Sequence, residues 1–328
     1  APLQSASWEK IIHDLKLNQM VKDLKNKYHN LKIDLCDLRM NIQQRNTIGW
    51  SEFVKNDESG ETIVEIDLAD DSLLDNQHQD DAHYRILDYP SDRIEACHAK
   101  GRHVYFINKK ILDSSVLISV PKLKMHEKVG MTAAIKGCVG IVGHKDCLAH
   151  HRKGGVQSNG DEYPGDSLFR KIMSNFHDYV NSSKINKVPL LMNTLKIIDR
   201  ILRKLIKEAG GVSSGSWSGN DTAWRMALDL ARITLYADST GKMQNTPVRY
   251  HFSLTDGVIS GEGQGPLNSS PKDLGYLSWS ENILSIDAIN ALTMGFDIDE
   301  LKIVNRAILL NKYKLAPYVN FNDIKVNV

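Results

Sequence analysis

Leu117–His151 reads LISVPKLKMHEKVGMTAAIKGCVGIVGHKDCLAHH, and this stretch decides the fold. It begins inside a β-branched run, Val116–Val120, that stops at Pro121, which is how a buried strand typically meets a loop. Polar and titratable residues follow the predicted strand at once. Because open α/β sheets bind ligands at the carboxyl ends of their strands, the sequence predicts a functional site directly after this strand.

Short apolar runs alternate with helical patterns along the rest of the chain. Further strands are predicted at Leu31–Leu38, Thr62–Leu68, Val104–Ile107, Tyr250–Leu254 and Tyr276–Trp279. Helices are predicted within Ala6–Tyr28, Ser167–Ile206, Thr222–Tyr236, Ile283–Met294 and Leu301–Leu310. This order favours an α/β fold with a mainly parallel sheet flanked by helices. The domains expected are residues 1–166, a helical insertion over 167–218, and the remainder of the α/β domain over 219–328.

Composition narrows the class of protein. A net charge of +1 and the lack of aromatic residues within the basic run argue against a nucleic-acid partner. There is no apolar run of about 18 residues, so no membrane span is predicted. The four cysteines form no Cys-x-x-Cys pair, which indicates neither an iron–sulfur cluster nor a zinc ribbon. Reduced thiols and a cytoplasmic location are therefore expected.

A histidine-rich loop is the first candidate site. Imidazole and carboxylate groups suit a divalent metal ion. The predicted metal ligands are His126, His144, His150, His151 and Asp146, with Asp161 and Glu162 close by in the sequence. The spacing of these residues is not diagnostic of a metal site, and a histidine-rich loop with adjacent lysine and arginine residues could equally bind a phosphate or a carboxylate. The cations available for such a ligand are Lys122, Lys124, Lys145 and Arg152.

Lys136 is the second candidate. It follows a small apolar run, Thr132–Ile135, and desolvation there would lower its pKa and make it a nucleophile or a base. The alternative is a solvated lysine at the end of a helix.

Two further groups are candidates for binding a ligand. Asp256 ends a predicted strand, and Glu262 lies in a glycine-rich loop, so the two carboxylates could orient a ligand. Asn220, Asp221 and Arg225 surround the start of a predicted helix, for which Asn220 or Asp221 is the expected N-cap. Capping explains Asp221 adequately, and Arg225 one turn on could pair with it.

Several segments resemble the family of domain of unknown function 362. They are Val120–His126, Gly130–Thr132, Ile135–Gly140, Thr255–Gly257, Glu262–Pro266, Ser285–Ala288 and Met294–Phe296. His144–Asp146, His150-His151 and Gly160–Pro164 are similar to a branch of this family often associated with cell-envelope polysaccharide genes. The resemblance covers most of the chain. It also implies a further sheet unit upstream of Ala1 in relatives, including a Lys-Pro-Asn motif, and we expect this chain to lack that unit.

A shorter match points to a cofactor. The ten-residue spacing of His126 and Lys136, with His150 or His151 later, resembles the lactate racemase family, in which the lysine carries a nickel-pincer nucleotide. Ala134-Ile135 departs from the Gly-Gly of that family, and its catalytic histidine would lie upstream of this chain.

Together, these features predict a metal-dependent enzyme of isomerase or oxidoreductase type. The expected substrate is an anionic or polyhydroxylated small molecule, with Lys136, His126 and Asp256 as catalytic residues. The alternative is a non-catalytic protein of a cell-envelope polysaccharide pathway that recognises anionic glycans. The oligomeric state is left open.

Overall fold

A computed structural model describes residues 8–45, 51–55, 63–75, 83–87, 89, 91–181, 189–208, 211–212 and 214–327. The chain divides into two compact units, Ala1–Thr62 and Ile63–Val328. No helix within the described ranges is long and apolar enough to cross a membrane.

The first unit contains two helices and a strand pair. Its elements are α1 (Trp8–Asp14), α2 (Leu17–Lys27), β1 (Asn41–Arg45) and the antiparallel β2 (Ser51–Lys55). The helical prediction for this region is confirmed, but the strand predicted at Leu31–Leu38 is wrong. That segment is irregular and pairs with none of the described strands, and Leu31 at its start is 59% exposed.

The second unit carries the remaining elements. Its strands are β3 (Ile63–Asp67), β4 (Tyr84–Arg85), β5 (His98–Ala99), β6 (Arg102–Asn108), β7 (Val116–Ser119), β8 (Lys122–His126), β9 (Gly130–Thr132), β10 (His151–Arg152), β11 (Tyr250–Gln264) and β12 (Asn268–Ser280). Its helices are α3 (Ser91–Cys97), α4 (Lys109–Asp113), α5 (Ala134–Gly137), α6 (Leu168–Asn181), α7 (Pro189–Glu208), α8 (Ala223–Tyr236), α9 (Ile283–Thr293) and α10 (Lys302–Ile308).

The main sheet is mixed. Its strand order is β12-β11-β8-β9, and β7 pairs with the first part of β11. Both β7 and β8 run parallel to β11, and the break between them falls at Val120-Pro121. The other pairings among the described strands are antiparallel. The α/β class is confirmed. The parallel pairs involve β7, which lies within the strand predicted at Val116–Val120, and β8, which follows it.

The strand β11 is much longer than the predicted Tyr250–Leu254. It continues to Gln264 because it pairs with β12 along its length, from Ser253 opposite Ser280 to Gln264 opposite Asn268. Asp256 therefore lies within a strand rather than at its end. The glycines that indicated a loop instead allow close packing, since a Cβ on Gly261 would lie 2.8 Å from the Cβ of Lys124.

A core of helices covers one side of this unit. Nearly every residue of α8 is buried, and α9 buries Ile283, Leu284 and Ile286 in the same cluster as Ile135 of α5. The helix α9 ends before Gly295, whose φ of +80° is the left-handed conformation that glycine favours after a helix.

A second, antiparallel sheet has the order β3-β6-β5 and confirms the strands predicted near Thr62–Leu68 and Val104–Ile107.

The segment predicted as a helical insertion contains α6 and α7. Both helices are amphipathic, and they contact each other through a hydrogen bond of 3.0 Å between His177 Nδ1 and Asp199 Oδ2. The division into three domains stays a prediction.

Candidate functional site

The candidate site is built on the hairpin of β8 and β9 and on the short helix that follows it. His126 pairs with Gly130 at the end of this hairpin, and the φ of +85° at Gly130 lets the chain reverse there. After β9 the chain turns at Ala133 into α5, which carries Lys136. The predicted strand end and the small apolar run thus place His126 and Lys136 on adjacent elements.

Lys136 is a buried lysine that has no partner among the residues that the structure describes. Its side chain is 8% exposed, and its amine makes neither a hydrogen bond nor an ion pair with any residue that the structure describes. Burial lowers the pKa of this amine to about 7, and neighbouring positive charges contribute to the shift. In decreasing order they belong to Lys145, Lys128 and Lys124. Lys136 can therefore exchange between the ammonium and the neutral amine near neutral pH.

Two neutral histidines share the surroundings of Lys136. Desolvation, followed by the charge of Lys136, lowers the pKa of His126 well below its usual value and that of His150 to about 3. The backbone N–H of Lys128 donates to His126 Nδ1 at 3.1 Å, so the ring proton of His126 lies on Nε2. His150 Nδ1 donates to the carbonyl of Leu148 at 3.0 Å, which leaves its Nε2 as an acceptor. The site therefore offers one imidazole donor and one imidazole acceptor.

Lys128 belongs to the same group, although the sequence did not single it out. Its ammonium donates to the carbonyl oxygen of Ser214. Desolvation lowers its pKa to about 8, against the opposing effect of Asp161 and Glu162. We call His126, Lys128, Lys136 and His150 the cationic cluster; its signal in the sequence was the series of cations that surrounds His126.

A buried carboxylate positions Lys136. The two oxygens of Asp287 on α9 accept hydrogen bonds of 2.8 Å from the backbone N–H groups of Ala134 and Ile135. These are orphan N–H groups of the first turn of α5, so Asp287 satisfies them in place of a capping residue. Burial raises the pKa of Asp287 to about 7, although the two N–H groups oppose the shift. A single acidic residue within the apolar α9 was the signal that sequence reasoning passed over.

Asn220 positions His150. Its Oδ1 accepts hydrogen bonds from the N–H groups of Thr222 and Ala223 at the start of α8, as predicted for a capping residue. Its Nδ2 donates to the carbonyl oxygen of His150 at 2.9 Å. The buried Asn220 thus connects the start of α8 to the backbone of the cationic cluster.

Of the five predicted metal ligands, His126 and His150 lie near Lys136, but His144 and Asp146 do not. His144 packs edge-on against Phe106 with ring centroids 5.1 Å apart, and Asp146 lies 3.4 Å from Arg93. The pKa of His144 is lowered by desolvation and then by Arg93. His144 and Asp146 thus have surroundings of their own, apart from the charges that act on His126 and His150.

His151 is buried on β10, where it pairs with Arg85 of β4, and its Nδ1 has no hydrogen-bond partner among the described residues. In the part of the chain that the structure describes, no three His, Cys, Asp or Glu side chains are arranged to hold a metal ion. The five predicted ligands therefore do not fit a metal site in this arrangement.

The remaining predicted residues are engaged elsewhere. Asp256 pairs with Lys122 at 2.6 Å on the exposed part of the sheet, and that contact lowers the pKa of Asp256. Glu262 lies 3.5 Å from Lys272 across the hairpin of β11 and β12. Neither carboxylate is among the charges that shift the pKa of Lys136.

Three other candidates have structural partners. Asp221 pairs with Arg225, whose guanidinium also lies 4.4 Å from the Trp224 ring centroid. The backbone N–H of Arg152 donates to Asp161 at 2.5 Å. These contacts hold the start of α8 and strand β10 in place.

The arrangement suits an anionic ligand. Lys124 is half-buried with its pKa lowered by desolvation, and the Lys145 ammonium donates to the carbonyl oxygen of Val139 at 2.7 Å. Positive charges that lower one another's pKa are stabilised when an anion is placed between them. A neutral amine beside them can also accept a proton or attack a carbonyl carbon.

Comparison with known proteins identifies a family without an assigned activity. Residues 77–291 match the sequence profile of the family described as "Domain of unknown function (DUF362)". The matched region includes the whole cationic cluster, Asn220 and Asp287. No curated protein and no solved structure matches the chain.

Proposed function

The chain belongs to the family of domain of unknown function 362, and we propose that it is an enzyme that binds an anionic small molecule at the cationic cluster. In this proposal Lys136 is the catalytic base or nucleophile. The observation that carries it is the buried residue Lys136, whose pKa lies near 7 and whose amine pairs with no carboxylate among the described residues.

The charges explain the preference for an anion. Folding desolvates Lys136 and Lys128 at a free-energy cost, and no carboxylate among the described residues pairs with Lys136. A phosphate or a carboxylate of the ligand supplies the missing partner. The Nε2–H of His126 donates a hydrogen bond to the same ligand, and Nε2 of His150 accepts one from a hydroxyl group.

The proposed reaction begins with proton transfer. The neutral amine of Lys136 takes a proton from a carbon beside the carboxylate or carbonyl group of the substrate and becomes an ammonium ion. The positive charge then lies next to the negative charge that develops on the substrate, which stabilises it. Return of the proton to the other face, or to a neighbouring carbon, completes an isomerisation.

The proposal contains no step at a metal ion, because the described histidines and carboxylates do not converge on one. The analogy to the lactate racemase family adds a separate prediction, a nickel-pincer nucleotide attached to Lys136. Mass spectrometry of protein purified from its native host tests this prediction. An added mass on the peptide that contains Lys136 supports the attachment, and an unmodified peptide contradicts it.

Pyridoxal 5′-phosphate is a suitable probe of the site, since it combines an aldehyde with a phosphate. The neutral Lys136 amine adds to the aldehyde and loses water, and borohydride reduces the resulting imine to a stable secondary amine. We expect peptide mapping after limited labelling at pH 7 to find Lys136 modified first. Inorganic phosphate, sugar phosphates and uronic acids should slow this labelling if they bind the cluster.

Lys122→Met is the matched control. Lys122 lies on β8, the strand that carries His126, but it pairs with Asp256 at the surface. The Lys122→Met variant should be labelled at the same rate as the wild type, whereas Lys136→Met should lose the rapid initial labelling. Labelling spread evenly over surface lysines, without protection by any anion, would contradict the proposal.

The alternative of a glycan-binding protein without catalysis makes a different prediction for the same variants. Once a ligand is found, Lys136→Met should abolish turnover of that ligand in an enzyme while His126→Ala weakens its binding. Binding of a uronic acid or phosphorylated sugar without any conversion would favour the non-catalytic function in a polysaccharide pathway.

A further inference from the structure

Cys97 and Cys147 lie side by side in the core of the second unit. Their sulfur atoms are 2.7 Å apart, and the two residues are 4% and 1% exposed. Cys97 is the last residue of α3, and Cys147 ends a short 3-10 helix, Lys145–Cys147. The two thiols pack with Val104 and Phe106 of β6.

The backbone segments that carry these thiols are also held together by other contacts. His98, the neighbour of Cys97, lies with its Nε2 2.7 Å from the carbonyl oxygen of Cys147 and donates to it. One turn earlier in α3, Arg93 lies 3.4 Å from Asp146, the neighbour of Cys147. Two independent contacts beside the sulfurs therefore fix their approach, so the pairing of the thiols does not depend on the two side chains alone.

We propose that Cys97 and Cys147 are a disulfide-forming pair that is oxidised by small disulfides such as glutathione disulfide. A disulfide bond needs a separation of about 2.0 Å, so the sulfurs have to approach by roughly 0.7 Å. The inference is independent of the function proposed for the cationic cluster.

The chemistry balances as a thiol–disulfide exchange. The thiolate of Cys97 attacks one sulfur of glutathione disulfide and releases one glutathione thiolate. The thiolate of Cys147 then attacks the Cys97 sulfur of the mixed disulfide and releases the second. Two protein thiols are oxidised, one glutathione disulfide is reduced to two glutathione molecules, and the two thiol protons end on the released thiolates.

Cys97 is the better attacking thiol of the pair. Its contact with Cys147 and the charges of Arg93 and Arg102 lower its pKa, whereas the pKa of Cys147 is raised. Cys138 offers a comparison: it is buried, burial raises its pKa to about 12, and its sulfur contacts the carbonyl oxygen of Ala134 instead of a thiol.

The crosslink would close a loop of 50 residues and join α3 to the segment that leads to His150. Closing a loop of this length restricts the unfolded chain and stabilises the folded one. The reduced thiols expected from the sequence would then describe the protein only in a reducing compartment.

Refolding in a glutathione redox buffer tests whether Cys97 and Cys147 form a disulfide. Starting from unfolded protein gives the oxidant access to thiols that are buried in the folded protein. Reduced, denatured protein should refold into a species lighter by two hydrogen atoms, with a Cys97–Cys147 peptide in the digest and two of the four thiols alkylated after unfolding. Its unfolding midpoint should exceed that of the same protein with reductant added.

Cys138→Ser is the matched control and should still form the disulfide, while Cys97→Ser and Cys147→Ser should not. Native-like protein that keeps all four thiols free in the oxidising buffer overturns the proposal. A disulfide that includes Cys36 or Cys138 overturns it as well.

Discussion

Asp287 holds the first turn of the short helix that presents Lys136. Its carboxylate accepts hydrogen bonds from the N–H groups of Ala134 and Ile135 at 2.8 Å, and burial raises its pKa to about 7. Asp287 thus sets the position of the turn that carries Lys136, and both buried side chains have a pKa of about 7.

Asp287→Asn should change stability in a pH-dependent way. At pH 4 the variant should be less stable by about 1–3 kcal/mol, because its amide nitrogen cannot accept the hydrogen bond that one of the two backbone N–H groups donates. Since the folded pKa of Asp287 lies above the unfolded value of 3.8, the wild type loses stability as pH rises to about 7, and the variant does not.

The difference should therefore shrink by up to roughly 1.4 kcal/mol per pH unit over this range. Denaturant titrations at several pH values measure it. Asp256→Asn is the control, because the pKa of Asp256 is lowered and no such trend is expected above pH 4. A difference that stays constant between pH 4 and pH 7 would show that Asp287 ionises normally.

Lys136→Met should stabilise the protein most at low pH. The folded pKa of Lys136 is about 7 and the usual pKa of a lysine is 10.5, so the wild type carries the cost of a buried ammonium below pH 7. That cost disappears as pH rises through the window from about 7 to about 10.5, because the unfolded state then binds the extra proton. The gain in the free energy of unfolding of the variant over the wild type should fall with pH, with a slope of up to about 1.4 kcal/mol per unit.

Denaturant titrations between pH 6 and pH 10 check this prediction, with Lys122→Met as the control for removing a surface charge. An advantage of Lys136→Met that does not decrease with pH would mean that Lys136 has an ordinary pKa in the folded protein.

Lys128→Met should raise the pKa of Lys136. The charge of Lys128 is one of the repulsions that lower this pKa, so its removal favours the protonated amine. The pH at which pyridoxal 5′-phosphate labels Lys136 at half its maximal rate should move upward from about 7. A midpoint that stays the same or moves downward would show that the two amines do not interact.

Asn220→Ala should affect both the fold and the cluster. Loss of the cap on α8 should cost about 1–2 kcal/mol, and loss of the hydrogen bond to the His150 carbonyl should slow the labelling of Lys136. Asn282→Ala is a matched control, because Asn282 caps α9 in the same way but donates to Leu315. Equal slowing of labelling in both variants would attribute the effect to general loss of stability.

Local patterns predicted the helices well. The apolar periodicity of α6 to α10 and the capping residue before α8 are properties of neighbouring residues, and all five helices are present. The burial of Lys136 follows from the same kind of signal, a cation within a run of small apolar residues.

Features that depend on distant pairing were missed. The second half of β11 is rich in glycine and contains Glu262, and it is extended because it pairs with the distant strands β12 and β8. The role of Asp287 depends on a helix 153 residues away from Ala134. His144 and His150 lie close in sequence but have different surroundings, because the 3-10 helix at Lys145–Cys147 comes between them. Sequence spacing alone does not determine such directions.

The distance along the chain between Asp287 and α5 has a consequence for biosynthesis. A ribosome that has completed Lys136 must still add α6 to α9 before the carboxylate that fixes the turn exists. Until then, the N–H groups of Ala134 and Ile135 lack their partner, and His150 lacks its contact with Asn220. Nascent chains released before Asp287 should therefore contain all the histidines and lysines of the cluster and still fail to assemble it, so that the appearance of the site marks one of the last events of folding.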